Sequence, residues 1–185
     1  MIEFRPFLEA VLTGYKNSYD VEKIEESDEN SYLQAKAHFH LIESQCLIFK
    51  EFSMWTAEAD EYVRIYYVKN LTVEIAKDLI KRTYDECFPF INLEDKNLKH
   101  QHMRTGIVAL IIADSADEAA LKIIKKCKIY KNFNFSLKGW MEMHAVTVEL
   151  DRAKVTGNRY SRETVKFLKD LISHRQKWEN KYNNA

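Results

Sequence analysis

One stretch constrains the fold more than any other. Residues 104–113, Arg-Thr-Gly-Ile-Val-Ala-Leu-Ile-Ile-Ala, are nearly all apolar. The uninterrupted part, Ile107 to Ala113, falls well short of the ~20 residues that a membrane helix needs. A strand that is apolar on both alternating faces has to be covered on both. The run therefore predicts the central strand of a sheet with helices packed on it. The chain has the apolar share for such a core, 46%, and with only 4 Gly and 2 Pro in 185 residues it is neither loop-rich nor disordered.

Periodicity supplies the remaining elements. Residues 4–17 predict a helix, with Pro6 tolerated in its first turn and Phe7, Leu8, Val11, Leu12 and Tyr15 as its apolar stripe. The acidic residues 20–30 read as an exposed connection. Strands are predicted at 32–42, 46–57 and 61–68, joined by Glu-Ser-Gln and Glu-Ala-Asp turns into an antiparallel meander. Thr72 is the expected N-cap of a helix over 73–87 that turns Ala76, Leu79, Ile80, Thr83 and Cys87 inward. Residues 92–102 read as a polar connection. Beyond the central strand, Ser115-x-x-Glu118 forms a capping box for a helix over 116–126. Strands over 128–137 and 140–150 flank Lys138-Gly139, a short strand follows at 154–156, and the last helix spans 160–181. The order is α-βββ-α-β-α-ββ-α. This is an α+β (mixed α/β) fold, one mixed sheet with helices packed on it. It forms a single domain over 1–185: an N-terminal helix and acidic connection (1–30), a sheet core with two helices (31–157) and a C-terminal helix (158–185).

Charge narrows the function classes. Lys+Arg and Asp+Glu both number 28, so the formal net charge is zero and the footprint of a dedicated nucleic-acid binder is missing. Lys122, Lys125, Lys126, Lys128, Lys131 and Lys138 do interleave with Tyr130, Phe133, Phe135 and Trp140, a pattern that can neutralise phosphates and stack on bases. The plainer reading prevails: a lysine-rich helix end, then a strand with Phe133, Phe135 and Leu137 as one core-facing row. Cys46, Cys87 and Cys127 are odd in number and far apart, which argues against a disulfide scaffold or a cysteine zinc site. Cys87 and Cys127 are expected to be buried thiols. The N-terminus has no basic start followed by an apolar stretch, so a cytoplasmic protein without a membrane partner is expected. No G-x-S-x-G and no GxxxxGK[ST] occurs.

The residues nearest to a chemical motif are two His-x-His pairs, His38/His40 and His100/His102. In an extended strand, residues i and i+2 share a face, so each pair could aim two imidazoles at one point. Glu58 and Asp60, or Glu61, could complete a divalent-metal set, and His144 could join it. The plainer account makes His38 and His40 solvent-facing, His100 and His102 part of a polar connection, and Glu58–Glu61 a hairpin turn. Paired carboxylates can also hold Mg²⁺ and position water for phosphodiester cleavage. The order α-βββ-α-β resembles the core of the restriction-endonuclease-like fold. That resemblance implies a carboxylate near the second strand, a part Asp60 could take, and a Glu-x-Lys on the third. The third predicted strand, Val63 to Lys69, has no Glu-x-Lys, so such a fold would be expected here without its activity.

Residues 130–159 carry a second resemblance. Their Phe-Ser-Leu-x-Gly-Trp segment and closing Asn-Arg are similar to a group of small uncharacterised prokaryotic cytoplasmic proteins, over about 35–170 of the chain. The resemblance implies a shared fold and transfers no catalytic residue. Within the segment, Gly139 is expected at positive φ or a close backbone approach, with Trp140 anchoring the turn. Asn158 and Arg159 sit where a strand meets the last helix, and Arg159 should either pair with a carboxylate or bind an anionic ligand. The leading functional expectation is a non-catalytic module that binds a protein partner or a second copy of itself. The alternative is a metal-dependent hydrolase or nuclease-like enzyme acting on phosphodiesters, and the third reading is nucleic-acid binding.

Overall fold

The computed structural model describes residues 2–24, 32–44, 56–91, 100–135 and 138–183, with the backbone path alone for 41–44, 56–58, 100–102 and 181–183. The predicted strand over 46–57 and Cys46 lie almost wholly outside the described residues.

Strands β1 (Asp20–Lys23), β2 (Leu33–Ser44), β3 (Thr56–Leu71), β4 (His100–Ala116), β5 (Tyr130–Asn132), β6 (Trp140–Glu149) and β7 (Lys154–Gly157) form one mixed sheet. Its order is β1-β2-β3-β4-β6-β5, with β7 also on β6. The first three strands run antiparallel, whereas β3, β4 and β6 are parallel neighbours. Helices α2 (Val73–Cys87) and α3 (Glu118–Lys126) connect the parallel strands, as parallel pairing requires. They pack on one face with Ala76, Leu79, Ile80, Ala120 and Ile124. The other face is covered by α1 (Phe4–Tyr15), α4 (Arg162–Ser173) and α5 (Arg175–Asn183), which contribute Phe7, Val11, Leu12, Leu168 and Trp178. Residues 107–113 are all fully buried in the middle of the sheet, as the apolar run predicts. Each of their larger side chains adds about 1.5–3 kcal/mol to folding. Among the described residues no helix is long and apolar enough to cross a membrane.

The predicted α+β class and the core of the element order stand, with local corrections. The connection at 20–30 contains β1, whose four mostly polar residues become a strand only by pairing with β2. Glu58–Asp60 is no hairpin turn: it lies inside β3, paired on both sides. Asp60 therefore lies within a strand, β3, rather than in a turn between two strands. His100–His102 open β4 and do not belong to a loop. Helix α3 begins after Asp117, and Ser115 donates to Asn70 Oδ1 (3.0 Å) and caps nothing. The strand expected over 128–137 is cut to three residues, because Asn134 and Phe135 both adopt positive φ; Phe135 is 95% exposed and so leaves the expected core row. The last helix breaks at His174. Gly139 has the expected positive φ, 75°.

Candidate functional site

The parallel strands begin at one end of the sheet, and both faces of that end carry charge. Asp60 and Glu61 are neighbours in β3, so alternation sends one carboxylate to each face. Glu61 joins the α1/α4 face, and Asp60 the α2 face.

On the α1/α4 face, three residues stand abreast: Glu61 on β3 pairs with Gly106 on β4, which pairs with Glu142 on β6. Gly106 is what leaves room there. A Cβ at that position would lie 3.0 Å from Glu61 Oε2 and 3.1 Å from its Cγ. Arg104, two residues before Gly106, donates through Nε (2.9 Å) and Nη2 (2.5 Å) to Glu142 Oε1. His144 Nε2 donates to the same oxygen at 3.2 Å, as a carboxylate can only accept. Burial alone would raise the Glu142 carboxyl, but the His144 hydrogen bond and the Arg104 guanidinium outweigh it and hold the group below the ordinary carboxylate range. The imidazole of His144 is 4% exposed, and its other nitrogen, Nδ1, is buried without a hydrogen-bond partner. Tyr19, in the turn after α1, donates to Glu61 Oε1 at 2.8 Å. Burial and then the Glu61 charge push the Tyr19 hydroxyl well above its ordinary pKa.

Tyr19, Glu61, Arg104 and His144 border a cavity of about 230 Å³ roofed by the end of α1 and the start of α4, with Glu163 and the rings of Tyr15, Tyr160 and Phe167 completing the wall. The volume lies just below the roughly 300–1,000 Å³ of sites for drug-sized molecules. A buried imidazole held by a carboxylate, beside a second carboxylate and a guanidinium, can bind a small polar molecule and exchange a proton with it.

The α2 face gathers part of the metal set expected from sequence. His38 Nε2 lies 3.1 Å and His40 Nδ1 2.8 Å from one oxygen, Asp60 Oδ1. The His38 ring stacks on Tyr62, with centroids 4.4 Å apart and planes 3° from parallel. The backbone ladder sets His40 opposite Asp60, Glu58 opposite His102 and Thr56 opposite His100. The six expected residues thus occupy three adjacent strands. Among the described residues no group of three or more His, Cys, Asp and Glu side chains is arranged to hold a metal ion. His144 does not join the set, since it lies on the opposite face with Glu142.

Asn158 and Arg159 have other employment. The Asn158 side chain is buried; it donates to Cys127 O (3.0 Å) and Met143 O (2.7 Å) and accepts from Ala145 N (3.3 Å). The Arg159 guanidinium lies 5.0 Å from the centre of the Tyr160 ring. Sequence reasoning missed Arg104, Glu142 and Tyr19. A signal did exist, in that Glu142 and His144 alternate with apolar residues on a strand otherwise built for a core.

No curated protein and no solved structure matches the chain. The family model described as "Domain of unknown function (DUF8052)" matches residues 3–170, nearly the whole chain, and the protein belongs to that family.

Proposed function

We propose that this domain binds a small polar molecule in the cavity between the sheet and helices α1 and α4. The observation that carries the reading is the His144–Glu142–Arg104 cluster beside the cavity, with His144 Nδ1 buried and unpartnered. Buried polar atoms without partners are rare, and each calls for an explanation such as a missing ligand. A fragment screen by ligand-observed NMR on the wild type and Gly106→Ala tests it. The added Cβ crowds Glu61, so hits should be lost in the variant while its fold is kept. Hits equally strong in both proteins would remove the reading.

A second reading places a divalent ion on the opposite face, held by His38, His40 and Asp60 with Glu58, His100 and His102 from the neighbouring register, for phosphodiester hydrolysis. Its support is the ladder that sets Glu58 opposite His102 and Asp60 opposite His40. Mass spectrometry of untagged protein should find near-stoichiometric metal that falls in a His40→Ala, His102→Ala double variant. Protein that takes up no metal from a divalent-ion panel would retire it. Association with a protein partner or a second copy has its support in Phe90 and Phe135, 55% and 95% exposed; a monomer peak that does not move with concentration would exclude self-association.

A further inference from the structure

We infer that the ligand of the α1/α4 cavity is a small organic cation, an alkylammonium by chemical class. This rests on the small-molecule reading above and adds the ligand's charge and hydrogen-bonding character. Three independent features of the wall point the same way.

The first is charge. The Arg104 guanidinium is ion-paired with Glu142, with two of its three nitrogens on one carboxylate oxygen. That pair cancels, which leaves Glu61 and Glu163 as the net charge on the wall. An anion entering here would meet two carboxylates, with two of the three guanidinium nitrogens already on Glu142.

The second is hydrogen-bonding polarity. The Tyr19 hydroxyl donates to Glu61 Oε1, so Tyr19 offers its proton to the protein, and Glu61 keeps Oε2 beside Gly106 as an acceptor. His144 Nε2 donates to Glu142, and its Nδ1 is buried without a partner. In a tautomer fixed by a carboxylate, the second nitrogen is the one left for chemistry. The cavity therefore offers Glu61 Oε2 as a charged acceptor, beside the Tyr160 and Thr164 hydroxyls, which can donate or accept. An ammonium group has three donors and no acceptor, and Glu61 Oε2 can accept one of them.

The third is the rest of the wall. Tyr15, Tyr160 and Phe167 present aromatic surface beside the carboxylates. Ring faces attract cations, and more strongly where water is excluded. They also give an alkyl chain an apolar bed.

The test uses the full chain and three probes of matched size: n-butylammonium, n-butanol and butyrate. Amide shift perturbation maps each binding site and gives each affinity. The ammonium should bind with shifts at Glu61, His144 and Thr164, at least about tenfold more tightly than either other probe, as for a charge-assisted hydrogen bond. Glu61→Gln should weaken it by a similar factor, and Glu163→Gln, at the exposed rim, by a smaller one. The second variant serves if the first does not fold. Butyrate or butanol binding at this site as tightly as butylammonium would overturn the inference and leave the cavity reading intact. So would ammonium affinity unchanged in both variants. Failure of all three probes to bind would sink the cavity reading and the inference with it.

Discussion

Asn158 lends itself to a quantitative test. The outer edge of β6 pairs with β5 over residues 140–142 and with β7 over 146–149, so residues 143–145 lack a strand partner on that side. Asn158 bridges the gap like a peptide unit. Its backbone N donates to Ala145 O, its side-chain oxygen accepts from Ala145 N, and its amide nitrogen donates to Met143 O and Cys127 O. Asn158→Ala deletes the three side-chain bonds inside the protein. At about 1 kcal/mol net each, the loss is about 3 kcal/mol. For a chain of this size, with about 2–4 °C per kcal/mol, Tm should fall by roughly 6–12 °C. Asn158→Asp should be worse although it is isosteric, because a carboxylate cannot donate to the Met143 and Cys127 carbonyls and brings a buried charge. Urea unfolding measures both, with the midpoint shifting at constant m. A loss below about 1 kcal/mol for Asn158→Ala, or a milder effect of Asn158→Asp, would refute the clip.

Other outcomes follow from single groups. The Glu142 carboxyl is held low in the folded protein, so its stabilisation is complete above the ordinary value of 4.5 and is lost as pH falls through the folded value. Urea midpoints taken from about pH 6 to about pH 3 should drop more steeply for wild type than for Glu142→Gln, and parallel curves would contradict this. Burial pushes the Cys87 thiol up to about 11, so iodoacetamide at about pH 8 should label it only in unfolded protein; labelling of the native state, read by peptide mass spectrometry, would refute its burial. Tyr66 OH and Thr83 Oγ1 lie 2.9 Å apart in the core, and Thr83 Oγ1 donates to Leu79 O at 2.7 Å. Thr83→Val should cost about 1–3 kcal/mol by stranding the Tyr66 hydroxyl, and adding Tyr66→Phe should recover most of it. A double variant as unstable as the single one would contradict that account.

How far the sequence could be read depended on whether a signal was local. The apolar run at 107–113 announced a central strand, because burial on both faces leaves no other composition. Thr72 capped α2 as expected, accepting from Ile75 N. Glu58–Asp60 misled because two carboxylates flanking Ala59 between apolar runs have the composition of a turn. Its strand state comes from partners on β2 and β4, which no local window contains. Phe133 and Phe135 alternate like strand residues, yet Phe135 is 95% exposed, because positive φ at Asn134 and Phe135 turns the chain away. The α1/α4 site was the least legible part. Tyr19, Glu61, Arg104 and Glu142 are scattered over four elements, and only the parallel order β3-β4-β6 sets Glu61, Gly106 and Glu142 abreast.

The placement of Asp60 and Glu61 on opposite faces makes β3 a ruler shared by two polar clusters. Neither residue can set the register, because a slip of one position would merely exchange one carboxylate for the other. The lock lies further along, where Val63 and Ile65 enter one core and Tyr66 and Val68 the other. The same slip would push Arg64 into the α1/α4 core and drag Val63 out of it. The aim of both acidic groups is therefore inherited from apolar residues that touch neither. Insertions or deletions between residues 61 and 68 should disable both faces at once, while substitutions at 60 or 61 disable one.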